Sequence, residues 1–172
     1  MKKERVDYNI SIEKELEAIE NLSNRLIKDG FNAENTVVVT VSTDYSSIAG
    51  QLIRHNLSKN GEIAYGFGVD VPYPDQHWEM GFERELRDVF QTYEYEFDDK
   101  TLILVENAII RGGNYKFLTE WINLHYPNMK VITLSLFENN YSIFKSDYVF
   151  EYYDNNVSDI TFHFEKPNRH WS

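Results

Sequence analysis

Lys100 to Tyr126, KTLILVENAIIRGGNYKFLTEWINLHY, carries the pattern from which the architecture follows. It opens on an unbroken apolar run, Leu102 to Val105, of the kind that fits a strand buried on both faces. A carboxylate and an amide, Glu106-Asn107, stand at the C-terminal end of that run. A short apolar link leads to Arg111-Gly112-Gly113-Asn114, and then to an amphipathic helix with Leu118, Trp121, Ile122 and His125 on one side. Strand, polar tip, glycine turn and helix start, in that order, are how open α/β sheets hold phosphorylated ligands.

The remainder of the chain extends the same pattern outward. Ser11 is read as an N-cap, and Ile12, Leu16, Ile19, Leu22 and Leu26 recur at helical spacing until Lys28-Asp29-Gly30 stops the helix. TVVVTV, 36–41, is a buried strand; STDYSS, 42–47, is a polar turn; Ile48, Leu52, Ile53 and Leu57 mark a second helix. EIAYGFGV, 62–69, alternates large with small side chains and predicts a strand with Ile63, Tyr65, Phe67 and Val69 on its crowded face. After a proline-marked loop, 72–75, Trp78, Phe82, Leu86 and Phe90 recur every four residues and predict a helix. Beyond the central helix, 131–137 predicts a strand, and 147–153 and 159–165 predict two short aromatic ones. The order predicts one α/β domain with a mainly parallel sheet flanked by helices, its core spanning about 11–140 and a small C-terminal hood about 141–166.

Composition bounds the chemistry. The chain has 172 residues, 42% of them apolar, enough for one domain with a real core. Seventeen basic against 28 acidic side chains give a net charge of −11, which argues against a nucleic-acid or anionic-membrane surface. There is no cysteine, so disulfides, thiolate catalysis and cysteine-held zinc are excluded. His55, His77, His125, His163 and His170 show no metal-ligand spacing and are read as surface or packing residues, with no metal site. No apolar run has the length of a membrane span and MKKERVDYN lacks the apolar core of a signal peptide, so the expectation is a soluble cytoplasmic protein.

With its elements in this order the chain resembles the type I phosphoribosyltransferases, closest to their xanthine-guanine and hypoxanthine branch, over about residues 11–166. Asp29-Gly30-Phe31 closes a similar opening helix, and VVVTV with the following turn and IAGQLI stands where the family has its pyrophosphate loop. VENAIIRGGN, Val105 to Asn114, lies over the family's ribose-phosphate signature, commonly VDDxxDTGGT. Asp147-Tyr148 and Phe162 to Glu165, FHFE, look like the branch's DY and FPWE segments. The resemblance implies transfer of phosphoribose from phosphoribosyl pyrophosphate to a purine, with magnesium bridging the pyrophosphate. It further implies a homodimer, with 148–164 as a hood over the purine and 78–90 where a mobile loop would close.

The machinery that the resemblance implies is mostly replaced. Of the acidic pair for the ribose hydroxyls, Glu106 stands and Asn107 replaces its partner. The position of the general base holds Ile110, which cannot accept a proton; such help is typically worth about 10²–10⁴-fold. The hydroxyls for the 5′-phosphate become Arg111 and Asn114, while Gly112 and Gly113 still offer backbone N–H groups to an anion. Thr43-Asp44-Tyr45 replaces the cationic, glycine-rich pyrophosphate loop, and each lost bond to a charged phosphate costs about 1.5–3 kcal/mol. Phe137-Glu138 stands near the place of the lysine that faces the purine carbonyl.

The expectation is a binding or regulatory protein on a retired enzyme scaffold, taking a partner protein or a phosphorylated nucleotide. The ligand-binding candidates are Glu106, Asn107, Arg111, Gly112, Gly113 and Asn114. The alternative is a divergent purine phosphoribosyltransferase using magnesium, with Glu106 and Arg111 in a rearranged site. Plainer readings stand beside these: a simple strand-to-helix turn with Asn114 as N-cap, and Asp44 or Ser46 as caps of the next helix. Trp78, Phe82, Leu86 and Phe90 fit a helix packed on the domain's own sheet, with a dimer or partner surface as the alternative.

Overall fold

The computed structural model of the chain describes residues 6–42, 48–58, 62–70, 78–93, 97, 99–154 and 157–162. Among these the elements run β1 (Val6–Ile10), α1 (Ile12–Lys28), β2 (Thr36–Ser42), α2 (Ile48–Leu57), β3 (Tyr65–Asp70) and α3 (Trp78–Tyr93). They continue as β4 (Thr101–Ile109), α4 (Gly113–His125), β5 (Lys130–Asn139), β6 (Tyr148–Tyr153) and β7 (Val157–Phe162). Five strands form one parallel sheet in the order β3-β2-β4-β5-β6, with β4 at its centre.

Side chains alternate across a strand, so each strand feeds two cores. Val37, Val39, Leu102 and Leu104 face a layer made by α3 and α4, where Leu86, Phe90, Leu118 and Ile122 are buried. Val38, Ile103, Val105 and Leu134 face a layer made by α1 and α2, where Leu22, Leu26 and Ile53 are buried. Coverage on both sides is why the central strands read as continuous apolar runs rather than alternating ones. Leu86 and Phe90 thus pack on the domain's own sheet; the side chains of Trp78 and Phe82 lie outside the described residues. α2 crosses β2 so closely that a Cβ on Gly50 would fall 2.1 Å from Thr40 Oγ1.

α1 begins and ends as its sequence dictates. Ser11 accepts from Lys14 N at 3.3 Å, and the acidic Glu13 and Glu15 occupy the first turn. At the far end Gly30 N donates to Ile27 O and Phe31 N to Leu26 O, with Gly30 at φ +93°. That double bond across a left-handed residue satisfies the last carbonyls and turns Phe31 into the core.

Several sequence expectations are corrected. The strand expected over 62–69 starts at Tyr65, because Ala64 N is held by Ser58 Oγ at 2.9 Å and Ile63 is left exposed. β5 runs to Asn139, past the expected 137, since its burial continues unbroken along β4 and β6. The strand expected over 147–153 is not apart from the main sheet: β6 is the edge strand of the central sheet, paired in parallel with β5. The small separate sheet consists instead of β7 and β1, parallel to one another, and β1 was not expected as a strand. Its partner lies some 150 residues away along the chain, so no local pattern announces the pairing. Tyr148, expected over the cleft, donates to Asp29 at the end of α1 and lies under the Arg25 guanidinium. Among the described residues no helix is long and apolar enough to cross a membrane.

Candidate functional site

The sheet grows in opposite directions from its middle: β2 leads outward to β3, and β4 leads the other way to β5 and β6. Between β2 and β4 the connections diverge, and in open α/β sheets that is where a crevice opens beyond the strand ends. The register shows the divergence. The β2–β4 ladder ends at Thr40–Val105, yet β2 continues to Ser42 and β4 to Ile109, held on its other side by β5.

Glu106 and Asn107 therefore stand just past the end of the β2–β4 ladder, on the crevice wall, with Glu106 still in register with Ser135 of β5. Glu106 is half-buried, and its Oε1 accepts from the backbone N–H of Asn107 at 3.2 Å. Asn107 is buried. Past Ile109 the chain surfaces: Ile110 is 47% exposed, an alkyl group at the position the resemblance gives to a proton acceptor.

Gly112 is the N-cap of α4, at φ +80° and without a side-chain cap, which corrects the reading of Asn114 as cap. Asn114 lies one residue inside the helix, because the turn is made in the left-handed region where glycine alone carries no Cβ penalty. The turn is also pinned from behind. A Cβ on Gly112 would fall 2.4 Å from Ser142 Oγ and 2.7 Å from Phe144 Cβ, and Ile143 N donates to Arg111 O at 3.1 Å. Gly113 differs: among the described residues nothing lies within 4 Å of where its Cβ would be. The first N–H groups of a helix have no intrahelical acceptor, so α4 presents donors and the positive end of its dipole on an open side. Arg111 is exposed beside them.

In the loop that backs this turn, 140–147, the sequence marked only Asp147 and the start of the expected hood; its contact with the turn, about thirty residues upstream, was not legible. The loop is tied down firmly. Fully buried Glu138 accepts from Ser146 N at 2.9 Å, and the Lys145 ammonium lies 3.2 Å from its other oxygen. Below the turn, buried Tyr115 donates to Leu134 O at 3.2 Å. Burial pushes its phenol well above the ordinary value, and the charges of Glu106, Glu138 and Asp147 push it the same way. Tyr153 donates to Ile109 O at 3.2 Å; burial, against a hydrogen bond from Asn139 and with the charge of Glu138, raises it to about 12.

The site therefore brings together Glu106, Asn107, Arg111, Gly112, Gly113 and Asn114 along one strand end and one turn. Thr43, Asp44, Tyr45 and Ser46 lie outside the described residues, at the head of the connection leaving β2. Among the described residues no three His, Asp or Glu side chains converge to hold a metal. His125 stacks on Trp121 with its Nδ1 2.9 Å from Trp121 O, a packing role, and His55 is exposed; His77, His163 and His170 lie outside the described residues.

Solved structures share this architecture over nearly the whole chain. A purine phosphoribosyltransferase from Pyrococcus horikoshii Ot3 is 14% identical with a TM-score of 0.66, over 95% of this chain and 97% of that one. The fold is that of the type I phosphoribosyltransferases. The xanthine-guanine-hypoxanthine phosphoribosyltransferase of Helicobacter pylori, also 14% identical, matches with a TM-score of 0.59 over 92% and 91% of the two chains. A hypothetical protein from Neisseria gonorrhoeae with bound ppGpp is 13% identical, with a TM-score of 0.68 over 95% and 92%. No protein-family model matches the chain, and no curated protein does. At such identities the likeness is one of phosphoribosyltransferase fold, and the side chains at the crevice carry whatever is said of function.

Proposed function

We propose that this protein no longer transfers phosphoribose and serves as a binding or regulatory protein that takes a phosphorylated nucleotide in the crevice beside α4. Ile110 carries the reading: an exposed alkyl side chain stands at the end of β4 where the resemblance asks for a carboxylate. What remains nearby serves binding rather than turnover, namely the open backbone at Gly113, the exposed Arg111 and the half-buried Glu106. The anion belongs at the α4 N-terminus, and Glu106 and Asn107 face the sugar. The bound ppGpp of the Neisseria gonorrhoeae protein is compatible with a binding role on this scaffold. The reading includes a cytoplasmic location and a homodimer, the latter checked by light scattering, and leaves room for a protein partner that senses the ligand.

Two measurements test it. Calorimetry with ppGpp, purine monophosphates and phosphoribosyl pyrophosphate is expected to show binding that Arg111→Ala weakens by about tenfold or more, the worth of one charge-assisted contact. A turnover assay with phosphoribosyl pyrophosphate, magnesium and a panel of bases is expected to show no product above a Glu106→Ala control. Product at enzymatic rates would establish the divergent transferase instead.

A further inference from the structure

We infer that the crevice selects its ligand by phosphate and sugar and is nearly indifferent to the base, an inference that rests on the nucleotide-binding reading above. A site distinguishes guanine from adenine only by polar groups that meet the hydrogen-bonding edge of the ring; without them the edges look alike. The segment that backs the α4 turn, 138–145, is where the described residues would offer such groups, because Ile143 N bonds to Arg111 O directly beside the cradle.

Its polar side chains are already committed to holding the segment together. Glu138 is fully buried against Ser146 N and the Lys145 ammonium. Asn139 Oδ1 accepts from Tyr141 N at 2.8 Å, Asn140 Nδ2 donates to Asp154 at 2.8 Å, and Ser142 Oγ accepts from Phe144 N at 3.2 Å. Lys145 also donates to the carbonyls of Asn139 and Asn140, at 3.1 and 3.2 Å. What the segment turns outward, besides the already bonded Asn140 and Lys145, is Tyr141 and Ile143, 69% and 71% exposed, and the Ile143 N bond to Arg111 O sets the latter beside the 47% exposed Ile110. Large apolar side chains left this open around a cleft mark a contact surface. An aromatic ring and two alkyl groups stack on any base, and the one phenol hydroxyl both donates and accepts, so it favours neither edge.

The test is calorimetry on the full chain with GMP, AMP, CMP, UMP and ribose 5-phosphate. GMP and AMP are expected to bind within about threefold of one another and all four nucleotides within about tenfold, each tighter than ribose 5-phosphate; a polar edge reader would separate them by about 10⁴-fold. Tyr141→Ala and Ile143→Ser are expected to weaken every nucleotide by a common factor of up to about tenfold and to leave ribose 5-phosphate unchanged. A hundredfold preference between GMP and AMP would overturn the inference while leaving the nucleotide reading intact. So would nucleotides no tighter than ribose 5-phosphate, or two variants without effect. Failure of all five ligands to bind would remove the nucleotide reading and this inference with it.

Discussion

Two glycines with left-handed backbone, Gly30 and Gly112, close and open helices on either side of the same sheet, yet they answer to different forces. Gly30, at φ +93°, has no described residue within 4 Å of its missing Cβ, and its turn is specified by the helix that precedes it. Gly112, at φ +80°, is enclosed by Ser142 and Phe144, side chains from the loop that follows β5. The first is a local device, complete in six residues. The second is a tertiary device, since the cradle it shapes exists only when the 140–147 loop lies against it. Each turn has a tyrosine from β6 as its anchor: Tyr148 donates to Asp29 beside Gly30, and Tyr153 donates to Ile109 O ahead of Gly112.

The contrast is easiest to break at the glycines themselves. Gly112→Ala should cost about 3 kcal/mol in urea unfolding, from left-handed strain of about 1–2 kcal/mol and overpacking of about 1–3 kcal/mol against Ser142 and Phe144. Gly30→Ala should show the strain alone, about 1 kcal/mol. Equal losses at the two positions would mean that the loop yields freely and the cradle is not fixed by it.

The tyrosine anchors sharpen the comparison at alkaline pH. Both phenols titrate at about 12, above the ordinary value near 10. Burial is the main cause in each; for Tyr148 the bond to Asp29 comes next. A raised folded-state pKa means that the neutral phenol is the form the fold favours. Its stability contribution is therefore whole below about pH 10 and drains away as the pH climbs through 12. Tyr153→Phe should cost about 1 kcal/mol at neutral pH and flatten the alkaline fall; Tyr148→Phe, at a more exposed bond, should do less of both. A Tyr148 effect as large as that of Tyr153 would contradict the burial argument.

The smallest expected effect is the one that separates structure from function. Gly113→Ala, with no described residue within 4 Å of its Cβ position, should leave stability within about 0.5 kcal/mol of the parent. Its consequence should appear in binding, because a methyl group there stands between an anion and the helix N–H groups. Unchanged stability with weakened ppGpp binding would mark Gly113 as the ligand-facing member of the pair. A loss of stability matching that of Gly112→Ala would show both to be structural.

What the sequence determined by itself was everything governed by neighbours along the chain. The apolar runs of β2 and β4 fixed buried parallel strands, Ser11 and Gly30 bounded α1, and the VENAIIRGGN stretch located the strand end and turn that line the crevice. It took packing in three dimensions to show that β6 joins the sheet, that β1 finds β7, and that Gly112 rather than Asn114 caps α4. These depend on groups far apart in sequence meeting in space. A periodic pattern records which face of a residue seeks burial; it does not record which distant backbone will bury it.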